Sequence, residues 1–559
     1  MQNSWTRRRL LTSAGLSALG VGLGLSAPGV SAGAQEAASA SAGKRLTLLH
    51  FTDSHAQLET HLEYLPGATP EFQMMGGFAR LKTAIERERA RCGGACLLLD
   101  GGDEFQGSAP AAWSQGEAVL GPLDAFGIDV FTPGNWEPVY GPEIFKRTMA
   151  RLGCPVVCYN FHDIASGQRL FPASVTIDRQ GVKTVVVGIT DIGASTRQPP
   201  AEFRGMDTTR MAGLRDYVKE VKARENPDLV VALTHTGLTI ARQLARDIPE
   251  FDVVLSGHTH ERTAAPILEG DVIVVEPGCF GSFLNRLDLV LKPGGGVAHH
   301  EYRLIPILAD IYPEDPEMKA LVDASLAPYR ERMAQELGET QTVLMRYDLF
   351  ETSADDFISD AVRETAGTDI GFTNGFRFGA PVVPGPVTKA DLWNLLPMDA
   401  RLKSGWVAGA ELRAYLEKEL ETVYSKNPYK LNGGWGVRAS GMTFAFKALG
   451  EPGKRIVSIR VNGKEIEPDG HYTVAGCERE GEAIDVLCRH PGTHDAKVIG
   501  PSVHAALIAY LKAHPVIAPR RDGRESAVDL PAIVFSQDAV LAGGEISKAP
   551  TTPFGMPPV

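Results

Sequence analysis

Leu46-Thr-Leu-Leu-His-Phe-Thr-Asp-Ser-His55 is the stretch that decides how the first half of the chain folds. It is a largely apolar run of strand length that ends on four polar residues, Thr52 to His55. Further short apolar runs follow, and several of them are separated by amphipathic helical segments; they lie at 96–99, 184–189, 228–233, 253–255 and 272–275. Short Val- and Leu-rich runs between helices are typical of strands covered on both faces. The pattern predicts a layered α/β domain over residues 45–310.

Polar clusters follow these predicted strands. They are Asp53-Ser-His55, Gly101-Gly-Asp103, Gly134-Asn-Trp-Glu137, Thr234-His235 and Gly257-His-Thr-His260. Ligand sites in open α/β sheets lie beyond the carboxyl ends of the strands, so the clusters are expected to converge. Carboxylate, imidazole and amide ligands without thiolate suit Mn, Zn, Fe or Mg and argue against a structural zinc knot. The neighbouring glycines are expected to allow sharp turns.

The order and spacing of these clusters resemble the calcineurin-like metallophosphoesterase superfamily over residues 46–260. The resemblance implies two divalent metal ions that activate water and stabilise an in-line attack. One ion would be held by Asp53, His55 and His260, the other by Asn135, His235 and His258, with Asp103 as the bridge. Asn135 is also a predicted catalytic residue. The family favours manganese, whereas the ligand types leave zinc and iron open.

A second α/β domain is predicted at 341–535, after a charged linker helix at 311–340. Its strands are expected at 369–373, 442–446, 456–461 and 472–475, and its helices at 354–366 and 409–424. Phe372-Thr-Asn-Gly-Phe-Arg-Phe-Gly379 resembles the Asn-Gly-x-x-Arg region in the C-terminal domain of secreted 5′-nucleotidases. The resemblance implies that Arg377 clamps the substrate anion from across an inter-domain cleft, with Asn374 and Phe378 beside it. A surface arginine next to a turn is the alternative.

The implied fold class is α/β. It consists of an N-terminal four-layer metallophosphoesterase-type β-sandwich flanked by helices and a C-terminal 5′-nucleotidase-type α/β domain.

Two features depart from standard nucleotidases. Their His–Asp dyad is replaced by Trp136 and Val139, and an indole offers only one neutral N–H. Their aromatic base platform is replaced by Gly476-Cys-Glu-Arg-Glu-Gly-Glu482. Both departures resemble the SoxB-type thiosulfohydrolase branch, as do Gly101-Gly-Asp-Glu-Phe-Gln-Gly-Ser108 and Gly375-Phe-Arg-Phe-Gly379. Trp136 is therefore a predicted substrate contact, with simple packing between the domains as the alternative.

The leading functional hypothesis is a dimetal hydrolase of sulfur oxidation that releases sulfate from a cysteine S-thiosulfonate on a sulfur-carrier protein. The alternative is a 5′-nucleotidase-like phosphomonoesterase that acts on a small phosphoester. A non-catalytic binding protein on the same scaffold is a remote third, because every expected metal ligand has a candidate residue.

Length, charge and the N-terminus set the remaining limits. A chain of 559 residues is too long for one core. A net charge of −12 argues against nucleic acid as a partner, and no apolar run after the first thirty residues approaches the roughly 20 needed to span a bilayer.

Arg7-Arg-Arg9, an apolar stretch and Ser31-Ala-Gly-Ala34 predict a twin-arginine signal peptide over 1–34 and a periplasmic location, with a Sec signal as the alternative. Residues 35–44 are predicted to be a disordered lead-in, and 536–559 a loose tail.

The seven cysteines give a weaker signal. Cys92 and Cys96 flank a Gly-rich turn and could form a disulfide in an oxidising compartment. Cys279, Cys477 and Cys488 are expected to be isolated, without a zinc or redox role.

Overall fold

The structure is a computed structural model that describes residues 43–65, 71–431, 435–531, 534 and 536–541. The predicted signal peptide, all but the end of the predicted lead-in, and residues 542–559 of the predicted tail lie outside the described residues. Within the described ranges, none of the helices combines the length and apolarity needed to cross a bilayer.

Two sheets form the centre of the first domain. The first sheet has the strand order Val297–Pro306, Phe283–Leu291, Arg45–Phe51, Cys96–Asp100 and Val130–Phe131. The second has the order Ile267–Glu269, Val272–Val275, Val253–Ser256, Leu229–Thr234, Val182–Ile189 and Ser174–Arg179. All six predicted strands of this half lie in these sheets, with ends within two residues of the prediction. Two short hairpins lie outside them, His61–Leu65 with Glu71–Met75 and His162–Asp163 with Met206–Asp207.

The two sheets face each other through an apolar layer that includes Leu48, Leu97, Val186 and Val231. Helices cover both outer faces: Phe78–Arg91, Ala109–Ser114, Glu117–Asp124, Pro142–Met149, Ala194–Arg197, Leu214–Glu225 and Leu238–Asp247, with a 3₁₀ turn at Glu137–Tyr140. The four-layer sandwich expected for this half is confirmed. Because strands buried on both faces must be apolar throughout, their continuous Val/Leu runs follow from this architecture.

Parallel strand pairs bring the polar clusters together. Arg45–Phe51 runs parallel to Cys96–Asp100, which runs parallel to Val130–Phe131. In the second sheet, Leu229–Thr234 runs parallel to Val253–Ser256. The residues that follow these strands therefore leave the two sheets at the same end of the sandwich.

The single linker helix predicted for 311–340 is wrong. Helix Pro316–Leu326 is capped by the Asp315 side chain and packs on the first domain through Met318, Val322 and Leu326. Pro328 interrupts the helical run, since it lacks an N–H, and the chain continues as a 3₁₀ turn, Ala327–Tyr329, and a short helix, Arg330–Met333. Glu336–Thr340 is already a strand of the second domain, between Gly385–Thr388 and Val516–Ile517.

The second domain contains two further sheets. Their strand orders are Val437–Ser440, Ile370–Asn374, His471–Cys477, Arg401–Ala408 and His494–Ser502, and Lys464–Glu465, Ile456–Val461, Met442–Phe446 and Glu525–Ala527. The helices are Ser353–Ala366, Lys389–Leu395, Gly409–Tyr424 and Val503–Ala513, with a 3₁₀ turn at Pro428–Lys430. The strands and helices predicted for this half match these elements, and the mixed α/β class is confirmed.

The predicted loose tail needs correction at its start. Gln537–Leu541 is a helix that docks on the first domain. The Asp538 carboxylate accepts from Arg242 at 2.8 Å, and the Gln537 backbone N–H donates to Glu261 at 3.0 Å. These contacts join the end of the described chain to the first domain.

Candidate metal centre and substrate cleft

Most of the predicted ligands have an unusual backbone conformation. Five of them have left-handed φ angles: Asp53 (53°), His55 (46°), Asp103 (61°), His258 (80°) and His260 (56°). Few non-glycine residues adopt this region, and those that do cluster at functional sites. Much of the turning expected of the neighbouring glycines is therefore done by the ligand residues themselves.

Gly134 is required for space rather than for its φ angle. A methyl group at this position would collide with the Asp103 carboxylate and would lie 2.7 Å from His235 Cε1. The glycine lets the loop that carries Asn135 approach both side chains.

The first group of predicted ligands is compact and buried. Asp53, His55 and His260 offer ligand atoms that all lie within 4.8 Å of one another. The Nε2 atoms of the two histidines are 3.1 Å apart, and Asp53 Oδ1 lies 3.3 Å from His260 Nε2. His55 Nδ1 lies 2.9 Å from the Gln106 carbonyl, which fixes the ring with Nε2 toward the group.

The second group meets the first. Asp103, His235 and His258 also place ligand atoms within 4.8 Å of one another. His235 Nε2 lies 3.0 Å from Asp103 Oδ2, and its Nδ1 lies 2.7 Å from the Gly101 carbonyl. Asp103 Oδ2 also lies 3.9 Å from His55 Nε2 in the first group. The structure thus places Asp103 between the two groups, at the position of a bridge.

Asn135 points its amide into the second group. One terminal atom of the amide lies 2.7 Å from His258 Nδ1, 3.2 Å from His235 Nε2 and 3.3 Å from Asp103 Oδ2. If that atom is nitrogen, it hydrogen-bonds to these acceptors; if it is oxygen, it presents a ligand to a cation held among them. All seven predicted metal ligands therefore come together.

The donor set fits two divalent cations. Among the described residues, no hydrogen bond reaches the buried atoms Asp53 Oδ1 and His258 Nε2. Burial lowers the pKa of His55 to about 4 and that of His258 well below its usual range, so these two rings are neutral, as metal ligands must be. Two divalent ions held by these residues would supply the Lewis acidity needed to activate water and to stabilise developing negative charge.

Two further acids support the ligands. From the sequence, Glu137 either orients the loop of Asn135 or is an exposed acid without a role, and Asp191 was missed. Glu137 is buried and accepts from the backbone N–H of Gly134 at 2.6 Å and of Glu104 at 2.8 Å, so it holds the loop that carries Asn135. Asp191 Oδ2 lies 3.8 Å from His258 Nε2 and pairs with Arg197. A sequence signal existed for Asp191, since it closely follows strand Val182–Ile189 as the ligands follow theirs.

The predicted substrate residues lie on the loop after strand Ile370–Asn374, facing the metal ligands. The Phe378 ring centroid is 4.5 Å from that of His55. Arg377 is half-buried; its Nη2 donates to the His258 carbonyl at 3.1 Å, and its guanidinium lies 5.1 Å from the Trp435 ring centroid. Arg377 is therefore built into the site and is not a surface residue beside a turn.

Trp136 closes the same region. It is buried, and its ring centroid lies 6.1 Å from that of Phe376. The rings join the two domains at the edge of a cleft of about 1270 Å³, which both domains line. Trp136, Asn374, Arg377 and Phe378 all line this cleft together with His55, Asp103, Asn135, His258 and His260.

Arg377→Met should lower kcat/KM by about 10- to 150-fold, because a hydrogen bond to a charged group contributes about 1.5–3 kcal/mol. Arg377→Lys should recover only part of the loss, since an ammonium cannot grip an oxyanion with two parallel N–H groups. Initial rates give the effect. Metal content measured on the same preparations should equal that of the parent, and an unchanged kcat/KM would remove Arg377 from substrate binding.

Comparison with known proteins agrees with this two-part arrangement. Residues 46–262 match the calcineurin-like phosphoesterase family model, and residues 336–478 match the model of the 5′-nucleotidase C-terminal domain. The trifunctional nucleotide phosphoesterase protein YfkN of Bacillus subtilis is 25% identical over 481 residues, which are 77% of this chain but only 31% of that protein.

Two solved structures, both from Thermus thermophilus, share the fold over most of the chain. A sulfate thiohydrolase SoxB superposes with a TM-score of 0.79 at 23% identity, covering 88% of this chain and 98% of the other. A 5′-nucleotidase precursor superposes with a TM-score of 0.77 at 22% identity, covering 87% of this chain and 100% of the other. At these identities the likeness shows the fold alone.

Proposed function

We propose that this protein is a hydrolase that releases sulfate from a cysteine S-thiosulfonate. Its sequence matches a calcineurin-like phosphoesterase domain followed by a 5′-nucleotidase C-terminal domain, and the homologues with these domains are hydrolases. The reaction consumes water and returns sulfate and a sulfur-terminated product. One of the two solved proteins that share this fold is a sulfate thiohydrolase, SoxB, and the proposal assigns the same kind of reaction to this chain.

The observation that carries the proposal is the environment of Trp136. Its indole occupies the place of the dyad histidine, is only 8% exposed, and is held by Phe376. Its N–H lies 3.3 Å from the Asn135 amide and cannot protonate a leaving group. The Trp136 side chain therefore provides a fixed apolar surface at the position where nucleotidases have an acid.

The leaving group explains why such a site can work without an acid. A nucleotide leaves as an alkoxide, whose conjugate acid is about as weak as water, with a pKa of roughly 15.7. A thiosulfonate leaves as a sulfur anion, and thiols have a pKa of about 8.5. The sulfur anion needs no proton in order to depart, so a loss of the acid affects the phosphoester reaction far more.

The cleft wall supports the same choice. Where nucleotidases place an aromatic base platform, this cleft is lined by Cys477, Glu478 and Arg479. Sulfate and phosphate are both tetrahedral oxyanions, so Arg377 can hold either group. The wall thus retains an anion clamp without a stacking surface for a base.

The wider setting belongs to the same proposal. We propose that the two cation sites bind manganese and that the N-terminal segment directs export of the enzyme to the periplasm. We also propose that a sulfur-carrier protein presents the substrate. The cleft between the domains is wide enough for a carrier's peptide arm, since its volume is about 1270 Å³.

The proposal predicts a clear substrate preference. Metal-loaded enzyme should release sulfate from a cysteine S-thiosulfonate peptide with a kcat/KM at least about 100-fold above that for phosphate from AMP, because a positioned acid typically contributes 10²–10⁴-fold to the rate. Ion chromatography measures sulfate and a colorimetric assay measures phosphate, in parallel reactions of one preparation.

The opposite preference would favour the phosphomonoesterase. That alternative draws support from the nucleotide phosphoesterase YfkN among the relatives. Efficient phosphate release from AMP without sulfate release would establish it, and it would show that the dyad is dispensable here. A well-folded chain that binds no metal would instead contradict both enzyme hypotheses and favour a binding protein.

A further inference from the structure

Two cysteines expected to be isolated are neighbours in the structure. Cys477 ends strand His471–Cys477, and Cys488 lies in the turn that follows it. Their Sγ atoms are 3.4 Å apart, and the Cys488 backbone N–H donates to the Cys477 carbonyl at 3.0 Å. Cys488 is 1% exposed, whereas Cys477 is half-buried and lines the substrate cleft.

The local backbone is shaped to produce this approach. Cys488 and Arg489 have consecutive left-handed φ angles of 48° and 71°, which turn the chain back under the strand. A methyl group on Gly476 would lie 2.8 Å from Leu487 Cδ2 and 3.0 Å from Cys488 Cβ. A side chain at this position would crowd the turn, so the small size of Gly476 favours the approach of the two thiols.

Both cysteines contact Asn374, a predicted substrate residue. Cys488 Sγ lies 3.5 Å from Asn374 Oδ1, and Asn374 Nδ2 lies 4.0 Å from Cys477 Sγ, so both sulfurs contact the same amide. Asn374 is the last residue of the strand that leads into the Arg377 loop. Oxidation of either sulfur is therefore expected to change the position of the Asn374 side chain, which lines the substrate cleft.

The two thiols are chemically unequal. A hydrogen bond with Cys488 lowers the pKa of the Cys477 thiol against the effect of its burial, and the charges of Arg479 and Arg489 lower it further. The same hydrogen bond and burial raise the pKa of Cys488 well above its usual range. Cys477 is thus the thiolate former, and it is the member that faces the cleft.

We propose that Cys477 and Cys488 form a dithiol–disulfide exchange site that takes disulfides from the substrate cleft. The Cys477 thiolate attacks one sulfur of a disulfide R–S–S–R, forms a mixed disulfide and expels one thiolate R–S⁻. The Cys488 thiolate then attacks Cys477 Sγ, closes the internal disulfide and expels the second R–S⁻. The two protein thiols lose two electrons, the substrate disulfide gains them, and the two thiol protons end on the two products.

Closure of this disulfide should alter the substrate side of the cleft. The two sulfurs move from 3.4 Å to a bond of about 2.05 Å, and the contact of Cys488 Sγ with Asn374 Oδ1 changes because the sulfur no longer carries a proton. The oxidised and reduced enzymes are therefore expected to differ in KM, through Asn374, with the metal ligands untouched.

The full chain tests the exchange without reference to hydrolysis. The folded protein is incubated with glutathione disulfide, the remaining thiols are alkylated, and the digest is analysed by mass spectrometry. A peptide pair joined through Cys477 and Cys488, lighter by two hydrogen atoms than the reduced pair, is expected, and Cys92→Ser should form it equally well. Full alkylation of both cysteines after this treatment would overturn the proposal.

Single substitutions test the order of attack. Folded Cys488→Ser should trap glutathione on Cys477, whereas folded Cys477→Ser should leave Cys488 unmodified, because only the first thiol faces the cleft. Near-ultraviolet circular dichroism checks that each variant is folded. Equal modification of both variants, or of neither, would contradict the assignment of Cys477 as the nucleophile. If a variant does not fold, the cross-linked peptide of the parent chain decides.

Discussion

Asp103→Asn should lower kcat/KM by at least about 10³-fold on whichever ester the enzyme hydrolyses. Asp103 Oδ2 lies 3.0 Å from His235 Nε2 in one ligand group and 3.9 Å from His55 Nε2 in the other. A neutral amide in that place cannot balance two dications, so metal occupancy should fall. Lewis-acid stabilisation contributes several kcal/mol, and each 1.36 kcal/mol is tenfold in rate. Initial rates and metal content measured together check the prediction.

The matched control is Asp163→Asn. Asp163 also lines the cleft, but it stands apart from both ligand groups and accepts from Ser166 instead. This variant should keep its metal and most of its activity. An Asp103→Asn enzyme that binds two metals per chain and turns over at the parent rate would refute the bridging role.

Arg346→Met should reduce the free energy of unfolding of the second domain by about 3–5 kcal/mol, the usual effect of removing one partner of a buried ion pair. Arg346 is fully buried, and its Nη2 lies 2.6 Å from Asp355 Oδ1. It also donates to the Leu395 carbonyl at 2.9 Å and to the Asn374 carbonyl. Without it, Asp355 is left buried with only Arg438, 3.5 Å away, as a counter-charge. The substrate loop also loses its anchor at Asn374.

Urea unfolding of the full chain, followed by the fluorescence of its tryptophans, measures the loss. Arg460→Met is the control, because Arg460 pairs with Glu465 at 3.1 Å on the surface of the same domain and such pairs contribute at most about 1 kcal/mol. Equal destabilisation by the two substitutions would mean that burial of the Arg346 pair has no special effect.

Much of the fold was predictable because its signals are local. Strands buried on both faces give apolar runs, so their positions could be found to within two residues. The linker and the tail were not predictable in this way. Helix Pro316–Leu326 docks through an apolar stripe whose partner surface is distant in sequence, and Asp538 pairs with Arg242, 296 residues earlier. The local sequence around these two segments does not indicate either partner.

The site residues also divide into those that local sequence predicts and those that depend on the folded chain. The metal-ligand set could be proposed because each ligand follows a strand, and parallel strands bring such residues together. Cys477 and Cys488 could not be paired from sequence, since their contact depends on two consecutive left-handed residues and on the small size of Gly476. The sequence likewise left open whether Glu137 orients the Asn135 loop or is an exposed acid, and only the folded loop shows that it is buried.

The left-handed backbone at five ligand positions has a consequence for the geometry of the site. These conformations are costly for side chains with a Cβ atom and persist only where the surrounding packing imposes them. The packing of the fold therefore fixes the backbone of these loops, and with it the positions from which the five side chains converge. A substitution in that packing should accordingly disturb the ligand geometry even where it touches none of the ligands.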